Sequence, residues 1–185
     1  MFLPGVTNES DTMLGTLGDE LDGLRRSAGG LTAGQSRERT TRSQLTIGGI
    51  VKHVTFGLRT WATRFEAAPD PSQADRETDA RVQEWVDSFA LTDGETLEGA
   101  LAEFDAARER LFAVIRRSDL DARAYHPAQP WFGLDATSVS IRWGVAHCLG
   151  EVAHHAGHAD IIREQLDGAT TESLMGVSWE PPSPL

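Results

Sequence analysis

The sequence predicts an all-α protein, a four-helix bundle with long connections after its second and third helices. Three observations predict it. Apolar residues recur at spacings of three and four in four segments, no stretch alternates as a half-buried strand does, and loops containing Pro or Gly separate the segments. With 185 residues, 39% hydrophobic and 24% charged, the chain is long enough to bury one continuous core without covalent staples. Residues 1–168 are expected to form the bundle and residues 169–185 an extended tail.

The first helix follows Asn8-Glu9-Ser10-Asp11, polar residues suited to capping free backbone N–H groups. Leu14, Leu17, Leu21 and Leu24 form its stripe, and Gly29-Gly30 ends it. Residues 31–44 are polar and are expected to hold only a short helical turn. The second helix starts at Thr46 as N-cap and carries Ile47, Ile50, Val51, Val54, Leu58, Trp61 and Phe65 on one face, until Pro69 and Pro71 stop it. Residues 69–91 read as a long connection with one helical turn pinned by Trp85. The third helix is expected from Thr92, because Thr92 and Glu95 have capping-box spacing. Its buried face is Leu97, Leu101, Phe104, Leu111, Val114 and Ile115, and Arg116-Arg117 suit the negative end of its dipole. After a second loop over 119–137, the last helix is expected to open between Asp135 and Ser138 and to stop at Gly168.

Composition excludes several functions. The net charge is −11 and Lys52 is the sole lysine, so no basic surface is available for nucleic acid. One cysteine, Cys148, rules out an internal disulfide framework and suits a reducing compartment. There is no basic-then-apolar leader pattern at Met1-Phe2-Leu3-Pro4-Gly5 and no apolar run near the ~20 residues of a membrane span, so the expected location is the cytoplasm.

The chemistry concentrates in the last helix. His147, Glu151, His154, His155 and His158 fall within one sector about 100° wide, opposite Val145, Leu149, Val152, Ala156 and Ala159. Glu151 and His155, one turn apart, can converge on one ion. His53 interrupts the apolar stripe of the second helix, where an unpaired imidazole costs free energy. If those two helices pack side by side, His53, Glu151 and His155 form a three-ligand divalent-metal site with open positions, the pattern of catalytic metals. Two nitrogens and one oxygen suit Zn²⁺, and are compatible with Ni²⁺ or Fe²⁺. The same residues taken singly have plainer readings: a satisfied core histidine at 53, a surface pair at 151 and 155, a pH-responsive polar stripe. His126 reads as an ordinary solvated or hydrogen-bonded histidine, and Cys148 as a small buried hydrophobe.

At these residues the sequence resembles the DinB-like superfamily of metal-binding four-helix proteins, in particular an actinobacterial branch. The resemblance rests on Asn8 to Thr12, on Leu45-Thr46-Ile47-Gly48-Gly49-Ile50-Val51-Lys52-His53, and on Glu151 to Glu164 with Asp167-Gly168 behind it. By position it places metal ligands at His53, Glu151 and His155. Where that branch commonly carries Arg before the last ligand, this chain has His154. The resemblance implies a transferase or isomerase that uses a low-molecular-weight thiol such as mycothiol on a small electrophile.

On that reading His158 or His154 serves as general acid/base or orients a ligand. Arg142, Trp143 and Trp131 are the candidates for binding the thiol or substrate, although the five tryptophans, Trp61, Trp85 and Trp179 included, are individually explained by packing. Two alternatives stand beside it: a metal-dependent hydrolase using the same site, and a non-catalytic metal-binding or stress-response protein. The expected partner is a small molecule, with a homodimer compatible.

Overall fold

The computed structural model describes residues 8–68, 79–129 and 133–177. Six helices and one hairpin occur there: α1 (Glu9–Ala28), α2 (Ile47–Ala67), α3 (Asp79–Asp87), α4 (Leu97–Arg117), β1 (Arg123–His126), β2 (Thr137–Ser140), α5 (Ile141–Asp167) and α6 (Thr171–Leu174). The short turn expected between the first two helices is a 3-10 helix at Gln35–Arg37.

The four long helices begin where a polar side chain can close the first turn. Asn8 accepts from the Asp11 N–H, Thr46 from Gly49, Thr96 from Gly99 and Ser140 from Trp143. Gly168, with φ of 75°, ends α5 in the left-handed conformation. The predicted stripes of α1 and α2 are buried throughout, and on α4 only Leu101 stays partly exposed.

Helix directions explain the long connections. Arg142 at the start of α5 meets Glu9 at the start of α1, and Arg163 near its end meets Ser27 and Gly29, so α1 and α5 run parallel. Lys52 pairs with Glu95 and Glu66 with Arg110, so α2 and α4 run parallel too. Between these two layers α5 packs on α2 in the opposite sense, with Trp61 and Phe65 against Gly144 and His53 against His155. A Cβ at Gly144 would lie 2.7 Å from Phe65 ring carbons, so the close approach needs glycine. Because α2 and α4 point the same way, the chain must travel back along the bundle between them, and α3 lies in that return.

Four expectations are corrected. The connection after α2 holds nine residues of helix rather than one turn, and Trp85 does not pin it to the core, being 41% exposed. Helix α4 starts at Leu97, five residues late: the Thr92 N–H does bond the Glu95 carboxylate, at 2.6 Å, but Lys52 also holds that carboxylate, and the segment stays a turn. The loop before α5 carries a strand pair, Arg123↔Ser140 to His126↔Thr137, so residues 137–140 are extended and α5 opens at Ile141. Its strands are four residues long, too short for a legible alternation. The segment after Gly168 is helical at Thr171–Leu174 before the described residues end at 177.

Candidate metal centre

The antiparallel packing of α5 on α2 brings the second-helix histidine to the last-helix pair. The His53 and His155 rings stand edge to face with centroids 5.0 Å apart. Both line a cleft of about 580 Å³ between α2, α3 and α5, which Glu151 and His154 also line. The Glu151 carboxylate raises the proton affinity of His155 and of His147, one turn to either side of it. Side chains at i and i+4 share a helical face, which accounts for the pairing.

Burial governs the protonation of these rings. His53 is pushed down to about 4, first by desolvation and then by the neighbouring His155. His155 is also lowered by burial, partly offset by Glu151. Both therefore hold the neutral, lone-pair-bearing form at neutral pH, the form that binds a metal.

Whether these residues fit a metal can be tested on the polar atoms. His155 is 9% exposed, and its Nδ1 is shielded from water with no hydrogen-bond partner; His158 Nδ1 is in the same condition. An unpaired buried nitrogen costs free energy that ligation removes. Two imidazoles and a carboxylate are also a donor set that divalent transition ions take. As the side chains stand, however, no group of three His, Cys, Asp or Glu among the described residues is gathered closely enough to hold an ion. Two donors converge, and the third, the exposed Glu151, lies on the same cleft wall. The set fits.

His53 is held from behind. Its Nδ1 lies 2.8 Å from Ser88 Oγ, and Phe89 stacks on its ring at 4.1 Å and 21°. Both residues follow α3, in a segment whose sequence gave no sign of touching the site.

The other predicted residues are distributed unevenly. His154 lines the cleft and meets His158 edge to face at 4.3 Å. His158 does not line it, but its ring also stands 5.7 Å from that of His155. Arg142 is a correction: it leaves the cleft and pairs with Glu9 at 2.7 Å and with Asp121, tying the start of α5 to α1. Trp143 is 46% exposed and does not line the cleft; it stacks at 7° on His147, which does, and also meets Trp61 and His126. Trp131 and Trp179 lie outside the described residues. His126 is hydrogen-bonded, with Nδ1 3.0 Å from the Pro127 carbonyl, and buried.

Sequence reasoning missed Arg64 and Arg81, the cations that line the cleft. Burial is the main cause that lowers His147 and His126, and the charge of Arg64, which lies over Trp61 at 5.0 Å, adds to it. Arg64 follows Trp61 by three residues and Arg81 stands in a polar stretch, so both looked like ordinary surface charges. Cys148 borders the cleft as well, but burial pushes its thiol far above its ordinary range, so it stays a protonated thiol.

A four-helix bundle with imidazoles from α2 and α5 converging in a cleft defines the class as DinB-like. A solved structure with this fold is YfiT from Bacillus subtilis, which is described as a probable metal-dependent hydrolase with an unusual four-helix bundle topology. It matches with a TM-score of 0.56 and 16% identity over 96% of this chain and 94% of that one, a likeness of fold. No curated protein sequence matches significantly. The model of the mycothiol S-transferase family matches residues 12–168, and the chain belongs to that family.

Proposed function

We propose that the protein is a metal-dependent S-transferase that joins a low-molecular-weight thiol of the mycothiol kind to a small electrophile, with a divalent ion held by His53, Glu151 and His155. The observation that carries this reading is the meeting of His53 and His155 at 5.0 Å in a cleft of about 580 Å³, within a chain of the mycothiol S-transferase family. A bound divalent ion supplies Lewis acidity that favours ionisation of a thiol. Zn²⁺ is the ion this donor set suits first.

The chain's own residues support the rest. The attacking sulfur must come from outside, because Cys148 is the only cysteine and its thiol stays protonated. His154, on the cleft wall one residue before His155, takes the thiol proton as sulfur bonds to the electrophilic carbon and that carbon's bond to its leaving group, or to the ring oxygen of an epoxide, breaks with the electron pair going to the departing atom. His158 packs edge-on against His154 and limits its rotation. The aromatic rings of Phe56, Trp61, Trp85 and Phe89 provide apolar surface that excludes water around the reacting sulfur.

The test is a turnover assay of the metal-loaded protein with a low-molecular-weight thiol and an alkylating or epoxide electrophile. Stoichiometric loss of free thiol that depends on metal and falls at least about 100-fold in Glu151→Gln is expected. Turnover of an ester or amide without thiol loss would assign hydrolysis instead. Tight metal binding with no turnover of either kind would leave a non-catalytic metal-binding protein.

A further inference from the structure

We infer that Ser88 is a positioning residue that fixes His53 as its Nδ1–H tautomer and so directs the Nε2 lone pair to the cleft. The inference about Nε2 as a donor rests on the metal reading above; the tautomer itself does not.

The argument is a count of protons. Ser88 is 2% exposed, and its hydroxyl has one hydrogen to give. Two groups lie within reach of its oxygen: the Trp85 carbonyl at 2.6 Å and His53 Nδ1 at 2.8 Å. A carbonyl oxygen only accepts, so at 2.6 Å the hydroxyl hydrogen must lie between Ser88 and Trp85. Towards His53 the serine oxygen therefore presents a lone pair, and Nδ1 must donate. A neutral imidazole that carries its proton on Nδ1 keeps its lone pair on Nε2, across Cε1 from the serine. In water, neutral histidine prefers the opposite tautomer, so the serine selects the form that is otherwise the minor one.

The segment that carries Ser88 is held against α2 firmly enough to make this selection. Phe89 covers one face of the imidazole at 4.1 Å. The Phe89 carbonyl oxygen would lie 2.2 Å from a Cβ at Gly49, a distance no side chain tolerates. Glycine in the first turn of α2 thus admits the backbone after α3 to within reach of His53, one turn further on. Serine's bond to Trp85 in turn ties the hydroxyl to the last turn of α3, which leaves it little freedom to reverse its hydrogen bond.

The structure gives Ser88 a competing, purely local role, closing the end of α3 through its bonds to the Trp85 carbonyl. The experiment must separate the two. Metal-free, full-length protein labelled with ¹⁵N at histidine is examined by long-range ¹H–¹⁵N correlation at a pH where the imidazoles are neutral. The wild type is expected to show His53 as Nδ1–H, a measurement that needs no variant to fold. Ser88→Ala is expected to shift His53 towards Nε2–H, and Ser88→Thr, which keeps the hydroxyl, to retain the wild-type pattern. An Nε2–H pattern in the wild type, or an unchanged pattern in folded Ser88→Ala, overturns the inference.

Metal affinity, read by competition with a chromophoric chelator, is the second readout. Ser88→Ala is expected to weaken it by about 10- to 100-fold, with Ser88→Thr near wild type. A shifted tautomer with undiminished affinity would overturn the directing role. A wild type that binds no metal would refute the metal reading while leaving the tautomer result to be judged by itself.

Discussion

Helix α5 has two seams, and they treat buried polar groups in opposite ways. Against α1, Arg163 is 7% exposed and fully engaged: it donates to the Ser27 and Gly29 carbonyls, each at 2.8 Å, and pairs with Asp167. Nearby, the Ser27 hydroxyl donates to Asp160 at 2.6 Å. Against α2, His155 is as deeply buried, yet its Nδ1 has no partner. The two residues are eight positions apart on one helix. A guanidinium that satisfies the free carbonyls ending α1 serves the fold. The unsatisfied imidazole, beside a second imidazole and a carboxylate on one cleft, is the observation the proposed metal site would account for. On the α1 seam Arg163 is matched by partners; at His155 Nδ1 is not, as the proposed metal site predicts.

The largest effect expected from this contrast is at Arg163. Arg163→Met leaves two helix-end carbonyls without donors and should cost about 2–4 kcal/mol in denaturant unfolding. Metal content of the folded fraction should be unchanged. A cost under about 1 kcal/mol would show that the α1 seam does not depend on this satisfaction.

The next effect is the pH dependence of the metal-free protein. His53 is pushed down to about 4 from an ordinary 6.5, so the unfolded chain takes up its proton first as pH falls. Stability is full above pH 6.5 and is lost as pH drops from 6.5 towards 4, by about 2 kcal/mol once the ring's partial exposure is allowed for. His155 and His147, lowered by burial as well, steepen the same window. Thermal unfolding across that range should show the slope, and His53→Gln should flatten it; an identical slope in the variant would contradict the assigned cause.

A smaller effect is expected at His155 itself. His155→Ala removes an orphaned nitrogen together with a packed ring, and these oppose each other, so stability should change by no more than about 1 kcal/mol. A loss as large as that of Arg163→Met would place both seams in the service of the fold. Smallest of all is Arg142→Ala. Its side chain pairs with Glu9 and Asp121 outside the cleft, so metal affinity and the KM for thiol should stay at wild-type values.

Much of this arrangement was legible in the sequence, and the reasons are local. Leu14 to Leu24 and Ile47 to Phe65 repeat with the period of a helix, and Asn8, Thr46 and Gly168 punctuate them with capping chemistry. His53 stood out because it broke an apolar stripe, and Glu151 with His155 because of their i, i+4 spacing. What was not legible depended on distant packing. Thr92 has the spacing of a helix start, but Lys52 from α2 competes for Glu95 and moves the helix start to Leu97. The β1–β2 hairpin needs only four residues per strand and has no room to display a pattern. Ser88 and Phe89 gave no signal because their role comes from where the returning chain crosses α2, which Gly48 and Gly49 permit but do not announce. Arg142 had the charge expected of a ligand-binding residue but emerges on the α1 side, where Glu9 takes it.

Elemental analysis of the purified wild type beside His53→Ala and His155→Ala, each confirmed folded by circular dichroism, tests the centre most directly. One equivalent of a divalent transition metal per chain in the wild type, and none in either variant, is the predicted result. A wild type free of metal, or a variant that keeps a full equivalent, would contradict a site shared between α2 and α5.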